Sequence, residues 1–307
     1  MLRFLIGLDR VPASSCGCYG SWQFATPFLD ELAANSLVVD CLLDISEAPL
    51  NSIWRKWTET VANSDSPPEF LRFEPAELLQ EVAADDWQAA AACWLSAADA
   101  AAIEFEDALD LLEAFLWDAE SSESLPLTLR LALHAVLMRS LDRLARNLRA
   151  ELAPELEPGD HLLWLGLSGE PLVEREAAEV LQPAIRPELQ HLPLLIEVVG
   201  QHHGARLAAP VAPNDVFSLV QQLLAGGSLQ DWQQSVSSRP QLVLQNSELT
   251  VVQTRDWCLV QPVGLLTGGS EHPCGLYRLP EDPWCLLNVA AQYPQVVEQL
   301  ASCLPGV

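Results

Sequence analysis

Residues 26–45, TPFLDELAANSLVVDCLLDI, decide the fold of this chain. Thr26 precedes a proline at the first helical position, and this combination predicts the start of a helix. The second half of the stretch, from residue 36 onward, is a short apolar run that is typical of a buried strand. A similar run, LRFLIGL at 2–8, lies one long loop upstream of the helix. The order strand, loop, helix, strand predicts a sheet with helices packed against it.

The same order of elements returns in the second half of the chain. HLLWLGLS at 161–168 and LPLLIEVVG at 192–200 have the form of strands, and PLVEREAAEVLQ between them has the form of a helix. A further helix, NDVFSLVQQLLAGG, follows. Three short apolar segments within 241–261 then predict a β-meander, and 282–303 predict a closing helix that is interrupted near Pro294.

These elements predict a mixed α/β fold that is rich in helices, with β–α–β pieces at both ends, a helical insertion and a C-terminal β-meander. We expect residues 1–49 to form a β–α–β segment, 50–159 a helical subdomain, and 160–307 an α/β segment packed with the first. Within the helical subdomain, residues 66–124 are acidic, and the helix predicted at 126–152 carries a basic stripe.

Composition and charge exclude several classes of function. Half of the 307 residues are apolar, which is enough to bury a core and excludes a disordered chain. The formal net charge of -26 repels phosphate backbones and anionic lipids, so we expect neither a nucleic-acid partner nor a membrane partner. The apolar start of the chain is too short for an export signal. We therefore expect a cytoplasmic protein whose eight cysteines remain reduced.

The negative charge is concentrated in residues 66–124, which hold fifteen acidic side chains against the single basic residue Arg72. Apolar residues recur with the helical period here and in the next segment, which predicts an antiparallel helical hairpin with an acidic and a basic arm. Two charged stripes mark the arms: Glu106, Asp110 and Glu113 on the first, and Arg139, Arg143 and Arg146 on the second.

The two stripes have two interpretations. In the first, they are solvated helix faces joined by some ion pairs, each of which contributes little to stability at a surface. In the second, they form a docking surface for another protein, and the excess of negative charge favours a partner with a basic surface. The sequence leaves both interpretations open.

Two cysteines lie one residue apart in the long loop after the first strand, in the segment SSCGCYGSW. Cys16 and Cys18 would form one half of a zinc site, since thiolate ligands for zinc come in closely spaced pairs. His272 and Cys274, in the glycine-flanked segment GGSEHPCGLY, would supply the other half. The alternative is a structured loop that binds no metal, and no other cofactor is expected.

A strand that ends in a histidine followed by a glycine occurs at VVGQHHGA, and a cysteine follows it about fifty residues later. His203 with Gly204 resembles the His-Gly element of caspase-like cysteine peptidases, and Cys258 would then be the nucleophile. The segment RDWCLVQP departs from that family, because a small residue precedes the family's nucleophile whereas Trp257 stands here. The alternative is a packed, inert cysteine and a surface histidine.

The loop that follows the strand at 161–168 contains Gly166, Ser168 and Gly169, small residues of the kind that cradle a phosphate ahead of a helix. Glu170 and Glu174 follow at once and would repel such an anion, and the chain has neither the P-loop motif nor a G-x-S-x-G nucleophile elbow. We therefore interpret this loop as a turn.

No complete set of catalytic residues emerges from these patterns. The sequence therefore favours a non-catalytic interaction protein, namely an adaptor, assembly factor or regulatory subunit that presents an acidic helical surface to a basic partner. The alternative is a cysteine-dependent hydrolase that uses His203 and Cys258 and contains zinc.

Overall fold

The protein has a mixed α/β fold, which confirms the predicted fold class. The computed structural model describes residues 1–45, 54, 57–59, 61, 67–73, 75–117, 125–170, 172, 186–263, 274–279, 281–283 and 285–304. Within these ranges, no helix is long and apolar enough to cross a bilayer.

Two sheets contain most of the strands. The strands are β1 (Leu2–Leu8), β2 (Ser36–Val39), β3 (Leu42–Leu43), β4 (Glu69–Arg72), β5 (His161–Gly166), β6 (His191–Leu192), β7 (Leu194–Val198), β8 (Ala205–Leu207), β9 (Leu242–Gln245), β10 (Leu249–Gln253), β11 (Trp257–Pro262) and β12 (Gly275–Arg278). The central sheet has the order β4-β1-β5-β7-β2-β8, and the C-terminal sheet has the order β12-β11-β10-β9. β3 and β6 form a separate antiparallel pair.

The direction of the strands brings several carboxyl ends to one edge of the central sheet. β1 runs parallel to β4 and β5, and β2 runs parallel to β8. β7 lies between these two groups and is antiparallel to both of its neighbours. The carboxyl ends of β4, β1, β5, β2 and β8 therefore share one edge with the amino end of β7. In α/β sheets, this carboxyl edge is where ligands bind.

Helices cover both faces of the central sheet. They are α1 (Pro27–Ala34), α2 (Pro75–Gln80), α3 (Ala84–Trp94), α4 (Ala97–Ala102), α5 (Phe105–Trp117), α6 (Leu127–Leu152), α7 (Pro187–Gln190), α8 (Pro213–Leu224), α9 (Leu229–Ser237) and α10 (Pro294–Ala301). Side chains of one strand alternate between the faces, so Leu162 and Trp164 pack with α6, whereas Leu163 and Leu165 pack with α8 and α9. Both faces of β5 are buried, which explains its continuous apolar sequence.

The helix predicted from Thr26 is present as α1, but its N-terminus is capped from another helix. The Thr26 side chain makes no capping hydrogen bond to α1. The carboxylate of Asp142, on α6, instead accepts hydrogen bonds from the backbone N–H groups of Phe28 and Leu29, at 3.0 and 2.9 Å. These N–H groups have no partner within the helix, so α6 fixes the start of α1.

Residues 50–159, which the sequence predicts as a helical subdomain, also contain a strand. β4 lies in this region and pairs with β1 at the edge of the central sheet. Around it, α2, α3, α5 and α6 pack on the sheet face that carries Trp164. The buried face of α5 consists of Ala108, Leu112 and Phe115, with the remaining apolar residues of the helix only partly covered or exposed.

The C-terminal part confirms the predicted meander, which β12 extends to four strands. The closing helix is shorter than predicted over 282–303, because α10 begins at Pro294. Before it, the Asp282 carboxylate accepts from the N–H groups of Leu286 and Leu287, and Asn288 bonds to the backbone of β12. These side chains hold the segment in a non-helical form. The helix predicted at PLVEREAAEVLQ falls largely outside the described residues.

Candidate functional site

Three adjacent strands end in charged and polar residues at the carboxyl edge of the central sheet. Asp9 and Arg10 follow β1, Arg72 is the last residue of β4, and Ser168 and Glu170 follow β5. Because β4, β1 and β5 are parallel neighbours, their carboxyl ends place these five side chains together. We call this group the edge cluster.

A serine hydroxyl and a carboxylate lie at the centre of the edge cluster. The Oγ of Ser168 donates a hydrogen bond to the Oδ1 of Asp9, and it accepts one from the backbone N–H of Arg10 at 2.9 Å. Arg10 has a φ of +58°, a left-handed conformation that is uncommon for a residue with a side chain. This conformation turns its N–H toward Ser168, so the backbone after β1 helps to fix the position of the hydroxyl.

The guanidinium of Arg10 is held by a buried partner. Its Nε lies 2.6 Å from the Oε2 of Glu170, whose side chain is only 1% exposed. The guanidinium also lies over the Phe115 ring, 4.4 Å from the centroid, and donates to the Phe115 carbonyl. A buried carboxylate needs such a partner, because an unpaired charge there would be strongly destabilising.

The second guanidinium of the edge cluster is open to solvent. Arg72 pairs with the Oδ2 of Asp9, and its side chain is 36% exposed. An ion pair at this degree of exposure is weak, because water and salt screen it. Arg72 can therefore exchange Asp9 for an anionic ligand at low free-energy cost, whereas Arg10 remains with Glu170.

Close packing explains the glycine in the loop after β5. A Cβ at Gly169 would lie 2.2 Å from the Glu188 carbonyl oxygen and would collide with the backbone of α7. Next to it, the Glu170 N–H donates to that same carbonyl at 2.9 Å. The small residues therefore let the loop reach α7 and direct Glu170 inward, toward Arg10. The sequence predicts only a turn here and does not reveal that the loop lies beside Asp9, because the spatial order of the strands is not visible in the sequence.

The structure brings Cys16 and Cys18 together but places Cys274 elsewhere. The pKa of the Cys16 thiol is raised well above its usual value, mainly by a hydrogen bond with Cys18 and to a smaller extent by burial. Cys274 directly precedes β12 and packs in the C-terminal core, and His272 lies outside the described residues. In the described ranges, no three His, Cys, Asp or Glu side chains are grouped to hold a metal ion.

His203 and Cys258 lie in different environments. His203 is exposed in the loop after β7, whereas Cys258 is fully buried in the middle of β11, between Gln253 of β10 and Tyr277 of β12. Among the hydrogen bonds of the described residues, none joins the two side chains. A cysteine that packs inside a sheet is inert, so the structure gives no support to a cysteine nucleophile.

The two charged stripes do not face each other. Arg143 lies 2.7 Å from the Asp86 carboxylate of α3, and Arg139 lies 3.5 Å from the same group. Arg146 instead lies over the Phe28 ring of α1, 5.7 Å from its centroid. The acidic stripe of Glu106, Asp110 and Glu113 is exposed on α5. The basic stripe therefore joins α6 to α3 and α1, and its use as a docking surface stays a prediction.

Comparisons with known proteins give no match by sequence. No family model matches the chain, and no curated protein matches it. Solved structures do match. A protein solved in complex with its substrate D-glucosamine-2-N,6-O-disulfate has a TM-score of 0.60 at 11% identity, over 99% of this chain and 96% of its own.

Two further solved structures have the same fold. A putative sulfatase from Bacteroides fragilis matches with a TM-score of 0.55 and 10% identity, over 99% of this chain and 94% of its own. The phosphonate monoester hydrolase of Agrobacterium radiobacter matches with a TM-score of 0.54 and 13% identity, over 98% of this chain and 95% of its own.

These matches correct the functional prediction. The interaction protein predicted from the sequence, whether adaptor, assembly factor or regulatory subunit, is wrong, because the neighbours that cover nearly the whole chain are described as hydrolytic enzymes. The alternative of a cysteine-dependent hydrolase is also unsupported. At these levels of identity, the comparison establishes the fold. The chain has the fold of sulfatases and of a phosphonate monoester hydrolase.

Proposed function

We propose that this protein is a hydrolase of anionic esters of the sulfate or phosphonate class, with the edge cluster as its active site. One observation carries the proposal: at the carboxyl edge of the sheet, the Ser168 hydroxyl donates to the Asp9 carboxylate, which also pairs with the guanidinium of Arg72. A nucleophile within hydrogen-bond reach of a base is the arrangement that nucleophilic catalysis requires.

The substrate class follows from the charges of the cluster and from the fold. A guanidinium binds the oxygens of sulfate and phosphonate groups through two parallel N–H donors. Arg72 is the exposed guanidinium and would bind the ester's oxygens directly. Solved structures with this fold include a protein in complex with a disulfated glucosamine and a phosphonate monoester hydrolase, so esters of both acids are the first candidates.

The first chemical step transfers the acid group to the enzyme. Binding of the anionic ester draws Arg72 away from Asp9, which leaves the Asp9 carboxylate free to act as a base. The Oγ of Ser168 attacks the sulfur or phosphorus atom, its proton passes to Asp9, and the bond to the ester's bridging oxygen breaks. That oxygen leaves as an alcohol after it takes a proton from water, and Ser168 carries the sulfate or phosphonate group.

The second step returns the enzyme to its starting state. Water attacks the sulfur or phosphorus atom of the group on Ser168 and gives a proton to the hydroxide that the first step leaves in the solvent. The bond to Oγ breaks, and Oγ recovers the proton from Asp9. Arg10 acts as a positioning residue, because its backbone N–H fixes Oγ while its guanidinium stays with Glu170. Its fixed charge stabilises the negative charge that develops nearby in the transition state.

Chromogenic esters test this proposal. We expect the wild-type protein to release 4-nitrophenolate from 4-nitrophenyl sulfate or from 4-nitrophenyl phenylphosphonate. Ser168→Ala should lower kcat/KM by about 10³-fold or more, since it removes the nucleophile. Asp9→Asn should lower it by about 10²- to 10⁴-fold, since it removes the base. Arg72→Gln should act mainly on KM, because Arg72 binds the ester.

The matched control is Ser302→Ala, an exposed serine after α10, which should leave the rate unchanged. Circular dichroism and thermal melting establish that each variant is folded. A folded wild-type protein that cleaves neither ester, or a folded Ser168→Ala variant with full activity, contradicts the proposal.

A further inference from the structure

A cavity lies at the other half of the carboxyl edge, away from the edge cluster. Its volume is about 450 Å³, and Cys41, His191, Gln253 and Arg255 are among its lining residues. It lies between the end of β2, the β3–β6 pair and the turn that joins β10 to β11. We call it the junction cavity, because it opens where the central sheet meets the C-terminal sheet. Its volume is in the range of small-molecule sites.

The imidazole of His191 offers the cavity a hydrogen-bond acceptor. Its Nε2 lies 2.8 Å from the Asp40 carbonyl oxygen, which can only accept, so Nε2 carries the proton and Nδ1 keeps its lone pair. Burial lowers the pKa of His191, although the neighbouring Asp40 opposes this shift. Near neutral pH, the ring is therefore uncharged and can accept a hydrogen bond from a ligand.

The wall next to His191 is apolar and uncharged. Leu43, Leu279 and Cys285 line it, and the thiol of Cys41 accepts a hydrogen bond from the Gln253 amide at 2.9 Å. Burial raises the pKa of Cys41 to about 12, so this thiol is neutral and unreactive at physiological pH. Polarisable sulfur atoms and aliphatic side chains make a surface that favours the body of an aromatic or aliphatic molecule.

The charged groups of the cavity select an anion of low charge. The Asp40 carboxylate is already bound by Arg206, whose Nε lies 2.6 Å away. Arg255 is exposed at the cavity and forms no ion pair among the described residues. Asp256 lies beside it, so a dianion such as phosphate would be repelled, whereas a single carboxylate matches the planar donors of the guanidinium.

We propose that the junction cavity binds a small aromatic or aliphatic carboxylate. Its carboxylate pairs with Arg255, its body packs on Leu43 and Leu279, and a hydroxyl at its far end donates to Nδ1 of His191. The site is built by the residues that follow β2 and β8 and by the β3–β6 pair, whereas the edge cluster belongs to β4, β1 and β5. This inference is therefore independent of the proposed hydrolase activity.

Two matched probes test the inference by isothermal calorimetry and ligand-observed NMR. 4-Hydroxyphenylacetate carries the carboxylate and the hydroxyl, and its amide, 4-hydroxyphenylacetamide, has the same shape without the charge. We expect the acid to bind with a Kd on the order of 1 mM or tighter, and the amide to bind at least about tenfold more weakly.

Variants test whether the acid binds in the cavity. Arg255→Gln should lower the affinity for the acid about tenfold or more. Ala208→Phe, at an exposed position on the cavity wall, should prevent the acid from binding. Arg278→Gln is the matched control, because Arg278 is an exposed arginine of the C-terminal sheet outside the cavity. This substitution should leave the affinity for the acid unchanged. Ser168→Ala should also bind the acid normally.

Four results overturn the inference. The first is equal affinity for the acid and the amide, and the second is unchanged affinity for the acid in Arg255→Gln. The third is loss of binding in Ser168→Ala, which would assign the carboxylate to the edge cluster. The fourth is absence of binding by both probes at millimolar concentration.

Discussion

At the scale of single residues, His134 shows how the fold fixes a protonation state. It lies inside α6, is fully buried, and bonds through Nε2 to the Ser15 hydroxyl at 2.8 Å. Its ring packs edge-on against Phe24, with 4.9 Å between the centroids. Burial, with a smaller contribution from the charge of Arg10, lowers the pKa of His134 to about 3. The folded protein therefore holds a neutral imidazole over a wide range of pH.

This lowered pKa makes stability depend on pH. Below about pH 6.5, the unfolded chain binds a proton at His134 that the folded protein does not bind. The free energy of unfolding therefore decreases as the pH falls from 6.5 toward 3, and His134 contributes up to about 1.4 kcal/mol to this decrease for each pH unit. Urea unfolding at several pH values should show that the free energy of unfolding depends less steeply on pH in His134→Gln than in the wild type.

The exposed His203 supplies the control for this measurement. His203→Gln is the matched substitution, because it removes a histidine that is exposed rather than buried and leaves the contribution of His134 in place. If the unfolding free energy of His134→Gln and of the wild type changes equally between pH 6 and pH 4, at about 25 °C, the buried imidazole of His134 is not held neutral by the fold.

At the scale of elements, the contact between α6 and α1 couples the helical layer to the first β–α–β unit. Asp142 is buried and satisfies two N–H groups of α1. Asp142→Asn should keep one of these hydrogen bonds and lose the other, because the amide has only one acceptor oxygen. We expect the free energy of unfolding to fall by about 1–2 kcal/mol.

Asp85 provides the matched control for this element. It lies in the first turn of α3 and is exposed, so Asp85→Asn should change the free energy of unfolding by less than about 0.5 kcal/mol. Chemical denaturation monitored by tryptophan fluorescence compares the two variants. Equal stabilities for both would show that Asp142 does not hold α1 in place.

The sequence predicts individual elements better than the contacts between them. Leu2–Leu8 and the helix from Pro27 are visible as short apolar runs and as a proline-started helix, because those signals are local. The helix predicted over 282–303 is shorter in the structure, because the side chains of Asp282 and Asn288 accept hydrogen bonds from backbone N–H groups of a segment with helical composition. β4 is also missed, because only pairing with β1 makes EFLR a strand.

At the scale of the whole molecule, the candidate site arises from the order of the strands. Asp9, Arg72 and Ser168 are far apart in the chain and meet because β4, β1 and β5 are adjacent and parallel. The sequence shows Asp9 and Ser168 after apolar runs, but it cannot show which runs are neighbours. Arg72 ends the segment EFLR, which only its pairing with β1 identifies as a strand. The negative charge concentrated around α5 favours an interaction protein when the sequence is considered alone.

The central claim is that Ser168 carries a covalent intermediate, and peptide mass spectrometry tests it most directly. The protein is incubated with 4-nitrophenyl phenylphosphonate, quenched in acid and digested with a protease. We expect the mass of one phenylphosphonyl group on the peptide that contains Ser168 in the wild type, and no such addition in Ser168→Ala. A wild-type protein without the addition, or with the addition on another residue, would contradict the account.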